Sequence, residues 1–254
     1  VSIYRAGQLT DALVNEGVET VYVPLELLPS VEVEKYRERT RFAAVLPRVW
    51  RTADEEGLRE QLRAAKERGV ECAVLGNLGH FALVRGLDME LRGDFGLNVF
   101  NSAALRFLRE QGLSGATLSF ELRHEQLRDI SKCIPCEAIV YGRLPLMLME
   151  NCVIKNRTGT CTCQTGTVRL VDRVGEEFPV VKDPGTCRNV LLNGKKLYLL
   201  DKKDVFRGMG LWALRLQFTT ENPGEIDKIL MDYQGRAAFD AGSYTRGLYS
   251  RGVE

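Results

Sequence analysis

A chain of 254 residues with 44% hydrophobic and 27% charged side chains is long enough to bury its own core without disulfides. Its 35 Lys and Arg against 34 Asp and Glu leave a net charge of +1, which excludes a uniformly basic nucleic-acid binder and leaves room only for a local patch. No apolar run approaches the roughly 20 residues that cross a bilayer, and no secretory leader opens the chain, so a cytoplasmic protein without a membrane span is expected. The chain starts at Val1 and its first methionine is Met89. Residues 1–254 are therefore expected to be one domain, the C-terminal part of a longer chain with a further N-terminal domain ahead of it.

Apolar, β-branched stretches alternate with charge-rich helical ones. Strands are expected near residues 1–5, 20–27, 41–47, 71–76, 89–95, 116–120, 137–143 and 211–218. Most are near-continuous apolar runs, as in parallel strands covered on both faces. The clearest helix is Ala53–Arg68, with acids in its first turn, Leu58, Leu62 and Ala65 at helical spacing, and Gly69 as its stop. Ser102–Gln111 carries Leu105 and Leu108 on one face, and Asn101 or Ser102 can cap it. Arg123–Lys132 and Pro223–Tyr233 complete the set, Pro223 suiting a first helical turn. Eight strands alternating with helices point to an α/β fold of the (β/α)8 TIM-like barrel kind. A doubly wound open sheet would show the same alternation. Residues 144–205 break the rhythm with turn signals and no convincing helix, and they read as a Cys-rich insertion between strands 7 and 8. Such an insertion follows a strand's C-terminal end, on the face where barrels place their chemistry.

Seven cysteines in a chain with no secretion signal suit metal ligation better than bridges. Cys72, Cys133 and Cys136 fall at strand starts, at the bottom of the expected barrel, and read as structural thiols. Cys152, Cys161, Cys163 and Cys187 all fall in the insertion, above the catalytic face. Four thiolates in one irregular segment suit a [4Fe–4S] cluster or tetrahedral zinc, and unligated thiols are the third alternative. Glu26, Arg48, Asn77, His80, Asp94, Asn98, Glu121, Tyr141, Arg143 and Arg215 fall at or just beyond strand C-termini. From these, Glu121, Arg143, Tyr141, His80 and Asn98 are the candidate catalytic residues. Glu121 and Arg143 suit an ion pair in the mouth, or an acid/base with an anion clamp. Of the two histidines, His80 stands beside a strand end and His124 opens a helix. HExxH and GxSxG are both missing.

Asn98, Asn101 and Ser102 form an Asn-x-x-Asn-Ser element, and Leu118, Ser119, Glu121 and Leu122 a Leu-Ser-x-Glu-Leu element. Tyr141, Gly142 and Arg143 follow, with Met147 and Cys152 after them, then Asp172-Arg173, Phe178-Pro179, Cys187 and Asn193. In these elements, densest from Val74 to Asn193, and in its final YTRGLYSRGVE, the chain resembles the collagenase-like U-32 peptidase family. The resemblance implies one of two activities. Some members carry a peptidase or collagenase label. Others are bacterial proteins that hold a [4Fe–4S] cluster on four cysteines and hydroxylate RNA bases or a quinone precursor. It implies Cys152, Cys161, Cys163 and Cys187 as cluster ligands. The better-known members carry a His-Gly-Ala-x-Cys run. Here Tyr141-Gly142-Arg143 stands well before Cys152 and the histidine is absent.

Three functions are compatible with this sequence. The first is an iron–sulfur hydroxylase acting on an RNA base or small aromatic precursor. The second is a peptidase acting on unfolded protein. The third is a non-catalytic metal-bearing binding module, whose basic stretch Arg37–Arg51 could touch RNA phosphates.

Overall fold

The structure is a computed structural model that describes residues 1–161 and 168–251. Its first six strands are β1 (Thr20–Pro24), β2 (Arg41–Val45), β3 (Cys72–Leu75), β4 (Glu90–Gly93), β5 (Gly115–Thr117) and β6 (Cys136–Gly142). Each pairs in parallel with the next. The remaining strands are β7 (Pro145–Met149), β8 (Val168–Val171), β9 (Glu177–Lys182), β10 (Asn189–Leu192), β11 (Lys196–Tyr198), β12 (Ala213–Gln217) and β13 (Tyr244–Thr245). β12 joins the far side of β6 in parallel. Ser2 then bridges in parallel to Tyr22 of β1 and to Gln217 of β12. Strands follow one another in chain order, without the reversal of a doubly wound sheet. The fold is mixed α/β around a curled parallel sheet, and each expected strand lies in it, the first as the two bridges at Ser2.

The helices are α1 (Asp11–Asn15), α2 (Val33–Tyr36), α3 (Glu55–Glu67), α4 (His80–Val84), α5 (Ser102–Glu110), α6 (His124–Asp129), α7 (Val153–Thr158), α8 (Lys203–Arg207) and α9 (Pro223–Tyr233). α3 is amphipathic as its spacing dictates, burying Leu58, Leu62 and Ala65 against the sheet. Asn101, not Ser102, caps α5, its side chain accepting from the Ala104 N–H at 2.9 Å. Asn222 and Glu225 form a reciprocal capping box on α9.

Period-2 alternation separates two faces of the parallel strands. Val21, Val23, Phe42, Ala44, Ala73 and Leu75 join the main core under the helices. Tyr22, Ala43, Cys72 and Val74 form a separate small cluster on the opposite, inner face. Further round the sheet that inner face is charged. Arg92, Thr117, Glu137 and Arg215 are all buried.

Between β6 and β12 lies a second, antiparallel sheet in the order β7-β10-β9-β8. The chain enters it through Gly142, at φ +124°, where an added Cβ would overlap the Gln217 carbonyl. No side chain fits that turn, which explains the glycine of the Tyr-Gly-Arg element. Residues 144–205 are thus more regular than their sequence suggests, with β-strands where irregular chain is expected. α7 is a single short helix within it, and α8 begins at its end.

Candidate functional site

The inner face is built on Arg215, which is 2% exposed. Its Nη1 donates to Asp94 at 2.6 Å, and its Nη2 to Thr117 at 2.8 Å and to Glu137. The guanidinium also lies over the Tyr22 ring, 4.1 Å from its centroid. Glu137 accepts in addition from Thr117 at 2.7 Å and from the Tyr22 hydroxyl at 3.1 Å. Burial pushes the Glu137 carboxyl up, but the Arg215 charge and these donors hold it below the usual carboxylate range. Arg92 extends the network, donating to Tyr22 at 3.3 Å and stacking on Trp212. Glu137 and Arg92 escape the sequence reading. Their only signal is a charge placed mid-strand among apolar neighbours.

Above this network lies a cavity of about 110 Å³ at the C-terminal ends of β1, β2 and β12, roofed by β7, β10 and the β9–β10 turn. Its walls are mostly apolar, including Ile3, Leu46, Phe95, Leu192 and Phe218. Glu26 and Asp183 bring carboxyls to it. Gly185, at φ +71°, makes this possible, because an added Cβ there would overlap the Glu26 side chain. Burial, reinforced by the Asp183 charge, raises Glu26 to about 7. Burial likewise raises Asp183, against the opposing pull of the Thr186 hydroxyl. Glu26 and Pro47 also line an adjoining open groove with Trp50, Arg51, Cys187 and Arg188.

The residues expected to be catalytic do not meet in one place. His80 is fully buried. Its Nδ1 accepts from the Gly76 N–H at 3.0 Å, so the proton sits on Nε2, which donates to the Pro47 carbonyl at 3.1 Å. Burial lowers its pKa to about 4. His80 thus joins the loops after β2 and β3 as a neutral ring. An unfolded imidazole titrates near ~6.5, so the unfolded chain binds the extra proton between that value and about 4. His80 therefore contributes a loss of on the order of 3 kcal/mol as pH drops through that window, opposite in sign to Glu26, whose raised pKa favours the folded state there. Thermal melting of the wild type and His80→Gln across pH 4–7 checks this, since the stability lost toward low pH should be larger in the wild type by that amount. Tyr141 is buried and donates to Glu221 at 3.3 Å. Arg143 donates to the carbonyls of Asn193 (2.8 Å) and Gly194, and not to Glu121. Glu121 is half-buried, its N–H bonded to Ser119 at 3.3 Å. Asn98 is exposed, with a left-handed backbone at φ 47°, and ends a short 3-10 turn over Phe95–Leu97.

Of the lower thiols, Cys72 and Cys136 are buried, and burial pushes both up to about 12, as fits inert structural residues. Cys152 caps α7, accepting from the Lys155 N–H at 3.5 Å. Cys161 and Cys187 are exposed. Cys163 lies outside the described residues. Register relates two of them. Met149 of β7 pairs with Asn189 of β10, so Cys152, just past the first, and Cys187, just before the second, fall at the same end of the antiparallel sheet. Asn189 fastens that end by accepting from the Val153 N–H at 2.9 Å. Arg188 ties it to Glu150 at 2.7 Å and to the Val49 carbonyl at 2.9 Å, beside the mouth. Among the described residues, no three His, Cys, Asp or Glu side chains gather into a metal-binding group. In kind, the thiol set suits an iron–sulfur cluster or zinc.

A sequence model of peptidase family U32 matches residues 12–241. The chain belongs to peptidase family U32. This U32 chain is also similar to a crystal structure of CutC from Streptococcus agalactiae, at 13% identity and a TM-score of 0.41, over 55% of this chain and 87% of that one. No curated protein matches it. Among the described residues of the U32 chain, no helix is long and apolar enough to cross a membrane.

Proposed function

We propose that this U32 protein is a modification enzyme that hydroxylates an RNA base or a small aromatic precursor. In this reading the curled sheet is a (β/α)8 barrel with the Ser2 segment as its first strand. Residues 144–205 are its Cys-rich insertion, and Cys152, Cys161, Cys163 and Cys187 hold a [4Fe–4S] cluster, or in the alternative zinc. The observation that supports it is the Met149–Asn189 register, which brings Cys152 and Cys187 to one end of the small sheet beside the mouth. A cluster bound there would supply one-electron chemistry.

The chain's own residues have simpler tasks. The apolar walls of the cavity exclude water around a bound ring, and the Arg215–Glu137–Asp94 network keeps its floor rigid. Both imidazoles are already engaged. His80 bonds two loops, and His124 sits 3.0 Å from the Tyr249 carbonyl and 3.1 Å from Glu125. That favours modification chemistry over a thiol–imidazole peptidase.

Mass spectrometry of nucleosides and quinone precursors tests the reading, in cells carrying the wild-type chain or Cys187→Ala. A product one oxygen heavier should be present with the wild type and absent with the variant. Its persistence with Cys187→Ala contradicts the proposal.

A further inference from the structure

The mouth cavity carries polar groups that the fold leaves uncommitted. The Tyr4 hydroxyl, on its wall, is buried without a hydrogen-bond partner. So is the Nε of Arg215, a side chain 2% exposed that lines the cavity. Unpaired buried polar atoms cost free energy and call for an explanation. Glu26 has no salt bridge to any described residue, although Arg48 and Arg188 lie on the surrounding loops. Arg48 instead lies over the Phe95 ring, 5.6 Å from its centroid, and Arg188 is spent on Glu150.

Size and wall chemistry narrow the ligand. A cavity of about 110 Å³ compares with the ~150 Å³ that accepts one benzene ring. Its apolar walls disfavour an ion, and its two arginines, Arg48 and Arg215, are outnumbered by the carboxyls of Glu26, Asp94 and Asp183, which disfavours an anion. A small molecule enclosed there is held by apolar contact, and a few polar groups set its orientation. Carboxylate oxygens accept, so Glu26 orients a donor, while the unpaired Arg215 Nε–H asks for an acceptor, and one hydroxyl offers both.

The geometry points to a binding site for one uncharged molecule of single-ring size that carries an O–H or N–H, with Glu26 as the residue that accepts that hydrogen. Glu26 stands where the cavity meets the open groove, so it meets a ligand arriving from the groove side first. The inference does not depend on the cysteines holding a cluster.

Three probes of one ring size test it on the unmodified protein by calorimetry and ligand-observed NMR. Cyclopentanol can donate, cyclopentanone can only accept, and cyclopentanecarboxylate is an anion. Above pH 8, where Glu26 is ionised, cyclopentanol should saturate the site about tenfold more tightly than cyclopentanone, the difference one hydrogen bond to a charged group makes. The carboxylate should bind weakest. In Glu26→Leu the preference for the alcohol should vanish while the ketone still binds, which also shows that the variant is folded. Equal or tighter binding of the ketone, tightest binding of the carboxylate, or no saturable binding by any probe overturns the proposal. The wild-type ranking decides even if Glu26→Leu fails to fold.

Discussion

Replacing Arg215 by Met is expected to cost about 3–5 kcal/mol of folding stability. Arg215 pairs with both Asp94 and Glu137, and all three side chains are buried. Removing it leaves two carboxyls in an interior where an uncompensated charge is poorly solvated. Tyr22 also loses the guanidinium stacked on its ring. Glu137 then escapes its charge only by taking up a proton, so its pKa should rise and the variant should be least stable at high pH. Pairing the change with Glu137→Gln removes one of the stranded charges and should recover part of the loss. Urea unfolding of the single and double variants at two pH values reads both effects. A loss below about 1 kcal/mol for Arg215→Met, or no recovery in the double variant, would mean that the network does not hold the inner face together.

The second large effect concerns the thiols. Either Cys152→Ala or Cys187→Ala is expected to abolish cluster binding and hydroxylation together, because four-thiolate clusters are held by every ligand. Cys72→Ala is the informative control. Cys72 sits on the inner face of β3, in a cluster with Tyr22, Ala43 and Val74. Its loss should cost stability and leave the metal content unchanged. Iron retained in both insertion variants would move the ligand set elsewhere.

The sequence is most readable where one face of an element decides its fate. Leu58, Leu62 and Ala65 announce α3 because a surface helix must bury one stripe. The helix Pro223–Tyr233 is announced by its proline and by the Asn222–Glu225 cap. The strands β1 to β3 are apolar runs because both faces are buried, one in the main core and one in the Tyr22, Ala43, Cys72 and Val74 cluster.

The inner charges are harder to read. Glu137 and Arg215 lie on strands separated by the whole antiparallel sheet, and nothing local tells that β6 and β12 are neighbours. Their partnership exists only once β12 has paired with β6. The antiparallel sheet itself is hidden because its strands are short and β9 carries Pro179 within it, a residue that argues against a strand. Asp183, absent from the sequence reading, looks like a turn residue in Asp-Pro-Gly-Thr. It acquires its cavity position only because Gly185 lets that turn rest on Glu26. Tyr141 and Arg143 show the converse. Their place at a strand end suggests chemistry, yet the fold spends them on Glu221 and on the carbonyls that anchor the second sheet.

The iron, sulfide and zinc content of anaerobically purified protein tests the central claim most directly. About four irons and four sulfides per chain, with broad visible charge-transfer absorption, is the expected result. Zinc alone would make the antiparallel sheet a structural metal knot, and protein free of both metals would leave its cysteines as plain thiols. Either result contradicts the account of this protein as an iron–sulfur modification enzyme.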